Sequence, residues 1–285
     1  MAIDWIEFEI QTQTPTNFME ICRATGLPYV EAQGAGRDRA ASIFRFKVQD
    51  PKNHQTIKAL MTQLDEKFPL QRPPVITGIE VAFDTSCPGA SARQLAEVVA
   101  DRHRWTTHKP DHDWHLYRKK GQGRIYLNAI DRLEFIQRLV DGWQLTDTAT
   151  KKAPARIHAY VKTSNAGLGL EPHQWRARFE VTLTGHALPC TTLDQLERFD
   201  FTSLSAYFKF RQYADNNPHK AIAHARRWMG ITQPGRRGTY QRRTATSRVG
   251  GTREFKSWTS PDSQLNDEIY SQLRKLTRSW RGKLK

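Results

Sequence analysis

Apolar and polar residues alternate in phase along much of this chain, the period-two signature of half-buried strands. Residues 3–10 predict a first strand with Ile6, Phe8 and Ile10 inward. Thr16 or Asn17 then caps a short helix ended by Gly26, and 34–39 is a Gly/Arg turn. Residues 42–48 set Phe44, Phe46 and Val48 against Arg45 and Lys47, a second strand. Asp50-Pro51 opens a helix, with Asp50 as cap and Ile57, Leu60, Met61 and Leu64 on one face. Across 75–84, Ile79, Val81 and Phe83 point one way and Glu80, Ala82 and Asp84 the other. Ser91 caps a helix to about 105, and 113–118 with 123–128 form a hairpin carrying Tyr117 and Tyr126. Asp131 begins a helix to about 143, with Leu133, Ile136, Leu139 and Val140 apolar.

The strongest alternation lies between Arg156 and Gly185. Ile157, Ala159 and Val161 share one face, and Arg156, His158, Tyr160 and Lys162 the other. After a loop, Trp175, Ala177, Phe179, Val181 and Leu183 oppose Arg176, Arg178, Glu180 and Thr182. Paired, these strands give one face to a core and gather tyrosine, histidine, carboxylate and bases on the other. A charged face turned to water is ordinary for an antiparallel sheet; such a concentration on two adjacent strands shifts the reading toward a site. Hairpins interrupt the strand–helix order, which predicts an α+β fold: an antiparallel or mixed sheet with helices on one face.

Beyond Gly185, residues 191–199, 203–213 and 218–229 read as helices, and 233–261 as a basic flexible linker. Residues 262–283 form an amphipathic helix striped by Leu265, Ile269, Leu273, Leu276 and Trp280. The pattern leaves open whether that helix docks on the body, pairs with a partner or lies on DNA. The chain thus divides into an α+β domain (1–200), a helical extension (201–232), the linker (233–261) and the basic helix (262–285).

Charge changes this picture. The net charge is +15, and from Lys220 onward 16 Lys/Arg stand against 4 Asp/Glu, leaving only +3 to the first 219 residues. A near-neutral body with a strongly basic end predicts a polyanion partner, and nucleic acid fits best. No apolar run reaches transmembrane length, and the opening MAIDWIEFEI lacks a secretion signal, so a cytoplasmic protein is expected. Cys22, Cys87 and Cys190 are scattered, without zinc-ligand spacing. Gly167-Leu-Gly169 lacks the Lys-Ser/Thr of a phosphate loop, and His112 with His115 lacks a third ligand.

The remaining chemistry is Glu80, Asp84 and Glu180 with Tyr160. Carboxylates on rigid strands suit Mg²⁺ or Mn²⁺, which prefer hard oxygen ligands. Glu80 and Asp84 share a face, although four strand rises set their Cα atoms about 13 Å apart. A phenol has a pKa of about 10; Lys162, in register with Tyr160, is expected to favour its phenolate. Arg156, Arg176 and Arg178 of the sheet, with Arg236, Arg237, Arg242 and Arg243 of the basic segment, are the candidate DNA contacts.

The central stretch resembles the replication initiators of rolling-circle plasmids and filamentous phages. Their strand R-[IV]-x-x-Y-x-K reads here Arg156-Ile-His-Ala-Tyr160-Val-Lys162, and their W-x-R-x-E-x-x-L reads Trp175-Arg-Ala-Arg178-Phe-Glu180-Val-Thr-Leu183. Their acidic strand R-[IV]-D-x-x-x-D is similar to Gly78-Ile-Glu80-Val-Ala-Phe-Asp84, with Gly78 in place of Arg and Glu80 in place of Asp. Ile3-Asp4-Trp5 also looks like the start of such initiators. The resemblance implies an enzyme that nicks one strand of an origin, leaving a 5′-phosphotyrosyl link and a free 3′-OH, and later rejoins the ends. Origin DNA, and with it host helicase and polymerase, are the implied partners. Tyr117 and Tyr126 rival Tyr160 as nucleophile, because the family places more than one tyrosine near its site. A non-enzymatic origin- or operator-binding protein and a single-strand-binding sheet are the competing classes. They separate on one observation: whether two of the carboxylates come within about 5 Å of each other, as shared ligation at roughly 2.1 Å requires, beside a tyrosine.

Overall fold

The structure, a computed structural model, describes residues 1–35, 39–102, 114–118, 123–127, 130–146, 153–165, 167–213 and 259–282. The chain opens with β1 (Ala2–Asn17), α1 (Phe18–Thr25), β2 (Val30–Gln33), β3 (Ala40–Gln49), α2 (His54–Lys67) and β4 (Val75–Thr85). There follow α3 (Ala92–Arg102), β5 (His115–Tyr117), β6 (Arg124–Tyr126), α4 (Arg132–Val140), β7 (Gln144–Thr146) and β8 (Ala155–Lys162). The small hairpin β9 (Ser164–Asn165) and β10 (Leu168–Gly169) leads to β11 (Arg176–Thr184) and α5 (Leu193–Arg198). The last elements are β12 (Arg211–Tyr213), β13 (Thr259–Pro261) and α6 (Ser263–Trp280).

Among the described residues nine strands form one sheet, in the order β2-β3-β1-β4-β11-β8-β7-β5-β6, every neighbour antiparallel. The first four strands with α1 and α2 make a split βαβ unit. β4 and β11 join at mid-sheet, so the long strands β1, β4, β11 and β8 lie side by side. Register carries the apolar face across them: Phe46 pairs Phe8, Ile6 pairs Ile79, Val81 pairs Val181, and Val181 pairs Ile157. These side chains are buried in one core with Ile21, Ile57, Leu64, Leu95, Val99, Phe135 and Leu139 of the helices. The helices therefore cover this face, as the alternation predicts, and the polar face lies opposite.

Local chemistry explains most element ends. Asn17 accepts from the Met19 amide at 2.9 Å, and Gly26 closes α1 at φ 69, a left-handed cap that glycine adopts without a side-chain clash. Ser91 and Gln94 cap α3 reciprocally. Asp131 accepts from Glu134 N at 2.8 Å to start α4. Two expectations need correction. First, α2 begins at His54, capped by Asn53, because the Asp50 amide donates to Asp4 O at 2.8 Å and extends the β1–β3 pairing. Second, 203–213 is no α-helix but a 3-10 segment over Phe201–Tyr207 followed by β12. Of the apolar residues of α4, Phe135, Ile136 and Leu139 are buried and Leu133 is 62% exposed. The strands β2 and β7 are too short for alternation to reveal. The expected helix over 218–229 and linker over 233–261 lie outside the described residues, except for β13 at the linker's end.

Of the three fates open to the C-terminal helix, α6 takes docking. Leu265, Ile269, Leu273, Thr277 and Trp280 are buried. The Trp280 indole donates to Leu196 O at 3.0 Å and meets the Phe201 ring edge-on at 6.0 Å. The N-terminal ammonium of Met1 donates to Gln272 at 2.8 Å. Phe210 wedges against Phe83 and Phe179, so the segment after residue 200 shares the core of the sheet. β12 pairs antiparallel with β13, Tyr213 opposite Thr259.

Candidate functional site

Antiparallel register lines up side chains of the polar face in cross-strand rows. One row runs Tyr126, His115, Thr146, His158, Glu180 and Ala82 across β6, β5, β7, β8, β11 and β4. A second sets Arg124, Tyr117 and Gln144 in line with Tyr160, Arg178 and Asp84. A third runs Arg156, Thr182, Glu80 and Trp5.

Glu80 and Glu180 come together at mid-sheet, and the residue that joins them is Asp4. Ligand oxygens of Asp4, Glu80 and Glu180 lie within 4.8 Å of one another. Tyr160 donates its hydroxyl to Glu180 Oε1 at 2.6 Å, and Thr182 donates to Glu80 Oε2. Arg178 is 5% exposed and donates to Asp4 and, through two nitrogens, to Asp84; it also lies 3.5 Å from Glu180. Lys162 Nζ sits 3.9 Å from Asp4 Oδ1.

Asp84 is not part of the cluster. Its oxygens face Arg178 at 2.6 and 2.8 Å and Arg176 at 3.1 Å, consistent with the long Glu80–Asp84 separation along β4. Arg178, expected on DNA, is instead an internal counter-ion. Arg176 is tied to Asp84. Arg156 keeps a buried Nε–H without an acceptor among the described residues. Arg236, Arg237, Arg242 and Arg243 lie outside the described residues. Asp4 was not expected as a ligand. Its signal was a break in phase: Ile3, Trp5 and Ile6 are all apolar, and the β1–β4 register shifts between Ile3 and Trp5. Such a bulge re-aims a side chain. Gly78 also has a reason: a Cβ there would stand 3.0 Å from the Trp5 ring.

Crowding shows in the proton affinities. Burial, then the charge of Glu80, pushes Glu180 up to about 8. Burial also raises Glu80, against the hydrogen bond from Thr182. Burial lowers the Lys162 ammonium, assisted by Arg178. Tyr160 runs opposite to expectation: burial and then Glu180 raise its phenol well above the ordinary range, and Lys162 does not offset them. Burial, then Glu180, brings Tyr117 to about 12. Tyr117 donates to Gln144 Oε1 at 2.6 Å and stands 3.2 Å from His158 Nδ1. Tyr126 is 44% exposed, against the His115 ring at 5.9 Å.

Three oxygen donors at this spacing match a hard divalent ion, and raised carboxyl pKa values mean the cluster holds protons that a cation would displace. Comparison with known proteins finds no family model, no curated protein and no solved structure that matches the chain. No described helix is long and apolar enough to cross a membrane.

Proposed function

We propose that this chain is a replication initiator that binds a plasmid or phage origin and nicks and rejoins one DNA strand. A tyrosine is the nucleophile, and Asp4, Glu80 and Glu180 hold Mg²⁺ or Mn²⁺. One observation carries the reading: these carboxylates converge within 4.8 Å beside a tyrosine hydrogen-bonded to one of them. A non-enzymatic DNA-binding protein has use for the basic segment but none for that convergence. A single-strand-binding sheet is disfavoured too, because three carboxylates repel phosphate unless a cation intervenes.

The ion supplies charge stabilisation for the phosphate in the transition state. The chain's own residues do the rest. Arg178 fixes Asp4 and Asp84, and Thr182 orients Glu80. The free 3′-OH left by the nick is what a host polymerase extends, on a duplex that a host helicase unwinds.

The test is to incubate the full chain with a random-sequence single-stranded DNA library and Mn²⁺, then denature in detergent. A protein–DNA adduct that forms with Mn²⁺ and disappears with chelator is expected. Adduct formation indifferent to chelator would remove the metal, and binding without any adduct would favour the non-enzymatic class.

A further inference from the structure

Tyr160 is poorly placed to attack: its hydroxyl is committed to Glu180 at 2.6 Å, among three carboxylates. A second tyrosine on the same face has different surroundings. Tyr117 on β5 reaches two side chains that are not carboxylates, Gln144 Oε1 on β7 at 2.6 Å and His158 Nδ1 on β8 at 3.2 Å. Its ring meets the His158 ring edge-on, centroids 5.9 Å apart at 68°. His158 is the cross-strand partner of Glu180, so this group abuts the carboxylate cluster. Arg156 lies two residues along the same face of β8; its charge opposes burial and Glu180 at the Tyr117 phenol, and its buried Nε–H lacks an acceptor among the described residues.

Resting on the strand-transfer reading above, we infer that Tyr117 is the nucleophile, that His158 accepts its proton, and that Arg156 receives the scissile phosphate. In the tautomer that leaves His158 Nδ1 without a hydrogen, a rotation about the C–O bond turns the hydroxyl hydrogen from Gln144 to His158. The phenol oxygen attacks phosphorus as His158 Nδ1 takes the proton. The bond from phosphorus to O3′ breaks, its electron pair stays on O3′, and O3′ takes a proton from water. His158 returns its proton to solvent, so phenol and phosphodiester become a 5′-phosphotyrosine and a 3′-OH. The Gln144 amide, turned to present its NH₂, holds the phenolate. Near pH 7 the phenol is neutral, because burial and Glu180 hold it at about 12, and so it needs an acceptor at the moment of attack. The arginine supplies what the carboxylates do not: a cationic guanidinium whose shape matches phosphate.

The experiment uses the full chain, Mn²⁺ and the same random single-stranded library, with the adduct digested and mapped by mass spectrometry. Attachment to the peptide carrying Tyr117 is expected. Tyr117→Phe should lose the adduct, and whatever adduct Tyr160→Phe forms should map to Tyr117. His158→Gln should slow single-turnover adduct formation by about 10²- to 10⁴-fold, the usual worth of a positioned base. Its dissociation constant for the library should stay within about twofold, a split that a merely structural role does not produce. Attachment at Tyr160 or Tyr126 overturns this inference and leaves the proposed reaction standing. No attachment in the parent protein removes both. An unchanged rate in His158→Gln overturns the base.

Discussion

Replacing Glu180 with glutamine should stabilise the metal-free protein at alkaline pH while removing its response to metal. The side chain is 6% exposed and shares a few ångströms with Asp4 and Glu80. Folding raises its pKa from 4.5 to about 8. The folded state therefore holds a proton that the unfolded chain has released, and stability falls as pH rises through that window, the loss being complete above about 8. Each tenfold in proton affinity is about 1.4 kcal/mol, so the penalty at high pH is on the order of a few kcal/mol. Glutamine keeps the shape, still accepts from Tyr160 and has no proton to release. Urea unfolding in chelator at pH 5 to 9 reads the effect through the midpoint at constant slope. Glu180→Gln should lie close to the parent at pH 5 and exceed it by about 2 kcal/mol or more at pH 9. With Mn²⁺ at about 100 times its Kd the gap narrows, since the parent gains about 2.7 kcal/mol and the variant does not. Parallel pH profiles for the two proteins, with or without Mn²⁺, would refute the reasoning.

Asp4→Asn should weaken Mn²⁺ binding by about tenfold or more by calorimetry, and Asp84→Asn by much less; the reverse order would return Asp84 to the ligand set. Trp280→Ala should cost about 3–5 kcal/mol in urea unfolding, because the ring packs on Phe201 and anchors α6; a loss under about 1 kcal/mol would mean that α6 is not part of the folding unit. Replacing Arg236, Arg237, Arg242 and Arg243 together by glutamine should flatten the salt dependence of single-strand binding, by about 0.7 in log–log slope for each phosphate no longer neutralised. An unchanged slope removes the segment from DNA binding.

The long strands were legible because alternation and burial are the same fact seen twice. Phe179, Val181, Glu180 and Thr182 could take only one pair of faces once one face met a core, and so the apolar face, the helices over it and the pairing of β8 with β11 follow from pattern. The caps at Asn17, Ser91 and Asp131 were legible for a local reason: each side chain serves an amide within three residues. The site was legible only by halves. Glu80 and Glu180 lie 100 residues apart in sequence, and which carboxylate joined them depended on β1 pairing with β4 through a bulge at Asp4. Asp84 shares its strand face with Glu80, yet Arg178 claims it, a choice set by the β4–β11 register. Likewise the stripe of α6 announced an apolar partner without naming it, and Leu196, Phe201 and His54 became that partner only in the folded chain. Periodicity fixes which way a side chain points along its own element; which charges then share one buried volume, and with what proton affinity, is decided by register between strands distant in sequence.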